Sequence, residues 1–414
     1  MTAPAPPPRY IFAALVAVTL IAPLANHMFI PAMPVVKEAF AIGNELAFAT
    51  LAVLMITMAF TTPLYGGFSD QWGRKRMLLT GLSLYTMGAV LCWAAPEIWS
   101  FLAGRVLQGA GAGCGIVLAR AIARDVYGME RIAAVIANLT AAYVLGPLVT
   151  PTLGGFLIGV FGWRSLFILI TLAGLALIAM VVFLLPETHR TGRESEGAGV
   201  ILRSMLRNYV ALLRVRRFTA YALLPGLLSG AFFSLATASS FLARENLGVS
   251  TEEYGLWFLF LAAGFMAGNF MSGRIGNRAS ITFMTLSGSA LFLAIVLCTW
   301  AAYGLLGFSS MLMLMVPGFM LGIAQGMCLA YAQAGAMQVN PSLAGSASGA
   351  VVFSQLFFAG MGELAVGLLA DGTLAPVIAV MLGFALAANA AAIVAAVSQP
   401  GRVLKPPPPR RAGW

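Results

Sequence analysis

Apolar residues run through this chain in twelve blocks, each close to the roughly 20 residues an α-helix needs to cross about 30 Å of hydrocarbon. The blocks fall at 10–34, 46–67, 76–95, 98–122, 132–157, 164–186, 218–243, 254–273, 281–303, 307–332, 347–369 and 374–397. Short polar or glycine-rich stretches separate them, and the longest, 187–217, divides the series into six and six. The pattern predicts an all-α integral membrane fold of twelve transmembrane helices in two six-helix, pseudo-symmetric bundles. The bundles occupy 10–186 and 218–397, joined by a basic linker at 187–217. A short tail, 1–9, precedes them, and a Pro-rich tail, 398–414, follows with an extended polyproline run at Lys405–Arg411.

Composition agrees and charge sets direction. Of the 414 residues 60% are hydrophobic and 9% charged, whereas soluble domains carry about 25% charge. Of the 24 Lys and Arg, all but four fall on the side that would be cytoplasmic if both termini are inside. The exceptions are Lys37, Arg164 and Arg244, which face outward, and Arg105 within a span. That asymmetry orients the chain by the positive-inside rule. The net charge of +10 therefore reports membrane orientation and not nucleic-acid affinity. Cys92, Cys114, Cys298 and Cys328 all lie in predicted spans, so neither a disulfide framework nor a metal site is indicated. Pro4 and Pro6–Pro8 precede Arg9 with no cleavable-signal pattern, and the first helix serves as its own insertion signal.

Two features carry chemistry. The segment Gly66-Gly67-Phe68-Ser69-Asp70-Gln71-Trp72-Gly73-Arg74-Lys75-Arg76 reads as a tight glycine turn between spans, with Asp70 at a helix N-terminus where negative charge is favoured. The loop Ser272–Arg278 takes the same place in the second half without the carboxylate, as a duplicated chain would. Well inside the spans only His27, Arg105 and Glu363 are strongly polar titratable groups. An ionised group at a helix centre costs about 2.5–3.5 kcal/mol on insertion scales, so each marks a candidate site. Counted from the predicted outer ends they lie seven, seven and six residues deep, all about 10 Å down at 1.5 Å per residue. The bland alternatives are an interhelical staple for Arg105, a snorkelling side chain for Glu363 and a backbone-bonded neutral imidazole for His27. No Walker lysine loop, HExxH or GxSxG motif occurs, which argues against an enzyme.

Gly66, Asp70, Gly73, Arg74 and Lys75 match the loop signature of the major facilitator superfamily, which the chain resembles over nearly all its length; Gln71 replaces the usual first cation. Gly104-Arg105-Val106-Leu107-Gln108-Gly109, Ala119–Asp125, and Leu145-Gly146-Pro147 with Pro151-Thr152-Leu153-Gly154-Gly155 resemble the twelve-helix drug:proton antiporter branch. Within it the chain is similar to the bicyclomycin and chloramphenicol resistance group. His27 stands where that group usually has an acidic residue, ahead of Pro31 and Pro34.

The resemblance implies a proton-coupled exporter of small amphipathic or lipophilic compounds, working by alternating access in a bacterial inner membrane with both termini cytoplasmic. Its implied partners are a small-molecule substrate, protons and lipid, with no nucleic acid, no cofactor beyond the proton gradient and no metal, in a monomer. Export of an endogenous sugar, amino acid or siderophore by the same machinery is the alternative. Arg105, Glu363 and His27 would couple protons, and Met28, Phe29, Gln108 and Tyr143 would line the substrate cavity. Gly66, Asp70, Gly73, Arg74 and Lys75 would form a conformational gate, Asp70 capping the eleventh helix near 345–349 when the cytoplasmic entrance closes; a purely local turn cap is the alternative. Gly146, Pro147, Pro151, Gly154 and Gly155 would permit close helix contact and seal the cavity against proton leak.

Overall fold

The computed structural model describes residues 9–188, 197–308 and 310–398. The polyproline run and the linker arginines Arg190 and Arg193 lie outside the described residues. Twelve helices are long and apolar enough to cross a membrane: spans 1 to 12 are Tyr10–Phe40, Asn44–Trp72, Arg74–Ala94, Ile98–Gly128, Ala134–Phe161, Arg164–Leu184, Arg216–Leu247, Thr251–Ile275, Ile281–Leu306, Leu312–Val339, Pro341–Leu369 and Ala375–Val397. The end of the molecule bearing Gly73 and the linker is termed the basic end.

Several spans outrun their apolar blocks. Span 1 continues past Pro34 to Phe40, span 2 past Gly67 to Trp72, and span 4 past Ile122 to Gly128. Hydropathy marks only the length that lipid covers, whereas the i to i−4 ladder continues until something breaks it. At the end of span 2 the breaker is Gly73, with φ +95°, and Gly276 plays the same part after span 8 with φ +49°. Both conformations suit glycine, which has no Cβ to clash. This corrects the predicted turn: Gly66 is inside a helix, and Asp70 lies in the last turn of span 2 and not at a helix N-terminus. Arg120, near the end of the predicted block 98–122, and Arg124 beyond it both lie inside span 4.

Span 1 is broken near its middle. An α-helix ends at Asn26, a 3-10 segment runs His27–Ala32, and an α-helix resumes at Met33–Phe40. Pro31 and Pro34 supply no N–H to the carbonyls of His27 and Ile30. The tighter segment answers part of that loss, because Met33 N–H donates to Ile30 O.

Small residues set the helix spacing, as expected where lipid tails weaken any hydrophobic drive between helices. A Cβ on Gly104 would lie 2.7 Å from Cys92 Sγ, and one on Gly109 would lie 2.6 Å from Leu54 O. Span 4 is thereby drawn against spans 3 and 2, which aims Arg105 into the first bundle. Between bundles, span 2 packs on span 11 and span 5 on span 8. Span 10 packs against neither span 4 nor span 5 among the described residues.

The linker is not simply polar. It holds an α-helix, Ala198–Leu213, that touches spans 2, 7 and 11.

Candidate functional site

Arg105 is fully buried and tightly held. Its Nε donates to Thr50 O at 2.9 Å, and Nη1 donates to Ala25 O at 2.9 Å and to Gln108 Oε1 at 2.6 Å. The guanidinium lies 4.5 Å from the centroid of the Phe29 ring. Charge-assisted hydrogen bonds are worth about 1.5–3 kcal/mol each, and a desolvated cation–π contact about 2 kcal/mol. Together these offset the insertion cost of about 2.5–3.5 kcal/mol, so the charge is retained without a contact ion pair.

Glu363 on span 11 is equally buried. Its Oε1 accepts from Thr237 Oγ1 of span 7 at 3.1 Å, while Oε2 has no partner among the described residues. No salt bridge joins it to Arg105, which lies in the other bundle. His27, on the 3-10 segment of span 1, packs its ring 5.7 Å from that of Phe233, one helical turn from Thr237. Residue counting mis-set its depth, since span 1 ends at Phe40 and not Pro34. What brings it level with the arginine is the bond from Arg105 to Ala25 O, two residues away.

Unsatisfied polar atoms concentrate here. Asn26 Oδ1 and Nδ2, His27 Nδ1, Arg105 Nη2, Gln108 Nε2 and Glu363 Oε2 all lack partners among the described residues. A buried polar atom left unpaired costs about 1–3 kcal/mol, so each of these atoms calls for a proton, a water or a ligand to complete it.

The predicted apolar cavity wall is different. Met28 and Phe29 are fully buried. Phe29 packs on Phe101 and Phe167, and Met28 lies against Gly154 of span 5. Both are interhelical packing in this conformation and not accessible lining. Gln108 orients Arg105. Tyr143 is half-buried on span 5, in electrostatic contact with Arg120, whose Nη2 donates to Thr140 Oγ1 at 3.4 Å.

At the basic end Arg74 is the hub. It is buried, and its Nη2 meets Asp70 Oδ1 at 2.5 Å while Nε meets Asp125 Oδ2 of span 4 at 3.2 Å. Nη1 donates to Ser69 Oγ at 2.5 Å. Glu187, beyond span 6, accepts from the backbone N–H of Arg74 at 2.8 Å and of Lys75 at 3.2 Å, capping span 3. Lys75 Nζ donates to Val182 O at 2.8 Å. Asp70 thus contacts Arg74 within its own bundle and not the start of span 11.

The opposite end joins the bundles. Lys37 pairs with Glu245 at 2.7 Å, and Arg244 pairs with Glu38 through Nε at 3.0 Å and Nη2 at 3.1 Å. Phe48 stacks on Phe241, their centroids 5.1 Å apart. Asn44 Nδ2 donates to Ala370 O at 3.5 Å. Along span 5, Gly146 lies against Pro23 of span 1, Gly154 against Met28 O, and Gly155 against Thr251 O of span 8. Thr152 Oγ1 donates to Gly255 O at 2.8 Å. Spans 5 and 8 therefore meet almost backbone to backbone, with Pro147 and Pro151 inside a continuing helix.

Sequence reasoning missed Asp125, Glu187 and Ser69 as partners of Arg74, Thr237 as the partner of Glu363, and both ion pairs at the far end. The last were findable: Lys37-Glu38 and Arg244-Glu245 are adjacent opposite charges closing the first span of each half.

Twelve membrane-length helices in two bundles carry the buried Arg105 and Glu363, and the family they belong to is one of membrane transporters and not of enzymes. The chain belongs to the Major Facilitator Superfamily, whose model matches residues 15–363. Among its relatives, a bicyclomycin resistance protein homolog of Haemophilus influenzae is 26% identical over 266 residues, 64% of this chain and 66% of that protein, just under two thirds of its length. Multidrug resistance protein D of Escherichia coli strain K12 is 26% identical over 82% of this chain and 83% of its own. The crystal structure of a D-xylose-proton symporter superposes with a TM-score of 0.70 at 14% identity, over 95% of this chain and 99% of that one. That structural likeness establishes the fold.

Proposed function

We propose that this protein is a proton-coupled exporter of small amphipathic or lipophilic compounds, captured with its basic end open. The observation that carries the reading is the pair Glu363 on one bundle and Arg105 on the other, both fully buried and each with an unpaired atom, which we read as facing one central chamber. A carboxyl that takes up a proton removes the negative charge facing Arg105, and a bound substrate changes the same field, so the two compete. His27 and Gln108 complete the polar wall. No cofactor is required; the proton gradient drives the cycle.

In this reading the basic end faces the cytoplasm of a bacterial inner membrane, with both termini inside, an orientation that the Lys and Arg asymmetry supports. In the outward-facing half of the cycle the far-end ion pairs separate and the basic end closes. Asp70 then leaves Arg74 for the start of span 11, where a carboxylate meets the positive end of the helix dipole. Close packing of Gly154 and Gly155 seals the far end against proton leak while it is shut. The relatives' names, bicyclomycin and multidrug resistance proteins, support antibiotics as cargo.

Susceptibility profiling in an efflux-deficient bacterium tests this. Expression of the chain should raise resistance to a set of lipophilic drugs, and an uncoupler should abolish the accompanying efflux. Resistance that survives uncoupling, or no change for any drug, overturns the reading.

A further inference from the structure

The linker helix Ala198–Leu213 and the four residues after it carry three parallel stripes with one spacing. Ile201, Met205 and Leu212 turn toward the protein: Ile201 and Leu212 are buried, and Met205 and Ile201 lie against Gly67 of span 2. One residue on, Leu202, Leu206 and Leu213 form an exposed apolar stripe. One residue further, Arg203, Arg207 and Arg214 are exposed, with no acidic partner among the described residues. Each step turns about 100° around the helix. The leucine stripe is therefore flanked by protein on one side and by arginines on the other.

Depth fixes what meets those leucines. A Cβ on Gly67 would lie 2.8 Å from Met205 Sδ, and one on Gly349 would lie 2.8 Å from Tyr209 Oη. Gly67 is five residues inside the end of span 2 at Trp72, and Gly349 is five residues inside the α-helical part of span 11 that begins at Ala344. Lipid covers span 2 as far as Gly67 and span 11 from 347, the limits of their apolar blocks, so both contacts lie at the edge of the hydrocarbon. An amphipathic surface helix rests its apolar face in that boundary, and this helix sits there.

We infer that the linker helix is an interfacial helix that binds acidic phospholipid headgroups of the inner leaflet through Arg203, Arg207 and Arg214. The inference rests on the orientation proposed above. Lipid tails cover Leu202, Leu206 and Leu213, and phosphates meet the arginines. Because the helix rests on Gly67 of one bundle and Gly349 of the other, at the boundary where spans 2 and 11 pack, bound anionic lipid strengthens a strap across the two bundles.

The test uses the full-length protein in lipid nanodiscs. A nitroxide on Leu206→Cys, with the exposed Cys298 replaced by Ser, should be accessible to oxygen and shielded from a water-soluble nickel chelate. Spin-labelled phosphatidylglycerol should be preferred over phosphatidylcholine, and Arg203→Gln with Arg207→Gln should reduce that preference more than tenfold, at about fivefold per basic residue near the surface. Arg203→Lys with Arg207→Lys should keep it. Ready access of the chelate to position 206 would assign the stripe to a soluble partner and overturn the inference. So would a phosphatidylglycerol preference that is absent or indifferent to the glutamines. Neither readout involves transport, so failure here is distinguishable from failure of the exporter reading.

Discussion

Lys37 and Glu245 form a 2.7 Å ion pair across the bundle boundary, and the residues beside them, Glu38 and Arg244, pair with the polarity reversed. The reversal makes the latch self-registering, since a slip of one residue would set like charges together. Its side chains are 24–60% exposed, and exposed pairs contribute at most about 1 kcal/mol each. Lys37→Gln with Arg244→Gln, which breaks both pairs, should therefore shift the equilibrium toward the far-end-open state by up to about thirtyfold. Distances between spin labels on spans 1 and 7 measure this. The swapped variant Lys37→Glu with Glu245→Lys should restore the original distribution.

Arg105→Lys should reach the membrane yet lose transport at least tenfold. A lysine keeps the charge but cannot span Thr50 O and Ala25 O with one planar fork. Drug counterflow in proteoliposomes checks the loss, and near-normal exchange would mean the charge alone suffices.

Gly155→Val should disfavour closure at the far end, because any Cβ there runs into Thr251 O of span 8. Cysteine crosslinks between spans 5 and 8 should form more slowly, and proton leak should rise. Unchanged crosslinking would return Gly155 to ordinary packing.

Asp70→Asn should raise the share of molecules open at the basic end, because an amide caps the start of span 11 more weakly than a carboxylate. Accessibility of single cysteines along the basic half of spans 4 and 10 reports the shift. No change would leave Asp70 as a local partner of Arg74.

The turn after span 11 carries a pH signature of its own. Hydrogen bonds from Thr373 Oγ1 at 2.7 Å and Thr373 N at 2.8 Å hold the Asp371 carboxyl below the usual aspartate range. A depressed carboxylate contributes stability that is present above its unfolded value and lost only as pH falls through the folded one. The turn should therefore be insensitive between pH 5 and 8. Asp371→Asn should leave the shape of a pH–transport profile over that window unchanged, and a displaced profile would place a titrating group outside the chamber.

Much of this architecture is legible in the residues themselves. Lipid allows no unpaired backbone, so twelve apolar blocks can only become twelve helices, and the cation asymmetry has no competing explanation. Arg105 and Glu363 stand out because burying them is costly. Less legible is where a helix stops, since Trp72 and Phe40 lie beyond any apolar block and only Gly73 or a tertiary contact ends the ladder. Partnerships at long range are also hidden: nothing near Arg74 announces Asp125 or Glu187, and nothing near Glu363 announces Thr237. The place of Phe29 is hidden for the same reason, because an aromatic beside an arginine looks alike whether it lines a cavity or stacks beneath the guanidinium. The linker helix was overlooked because its arginines masked a leucine stripe.

The most direct test of the central claim is proton-driven drug accumulation by Glu363→Gln in proteoliposomes, set beside substrate exchange without a gradient. Accumulation should vanish while exchange continues, because the amide holds Thr237 and the fold but carries no exchangeable charge. Accumulation at the native level would contradict the account.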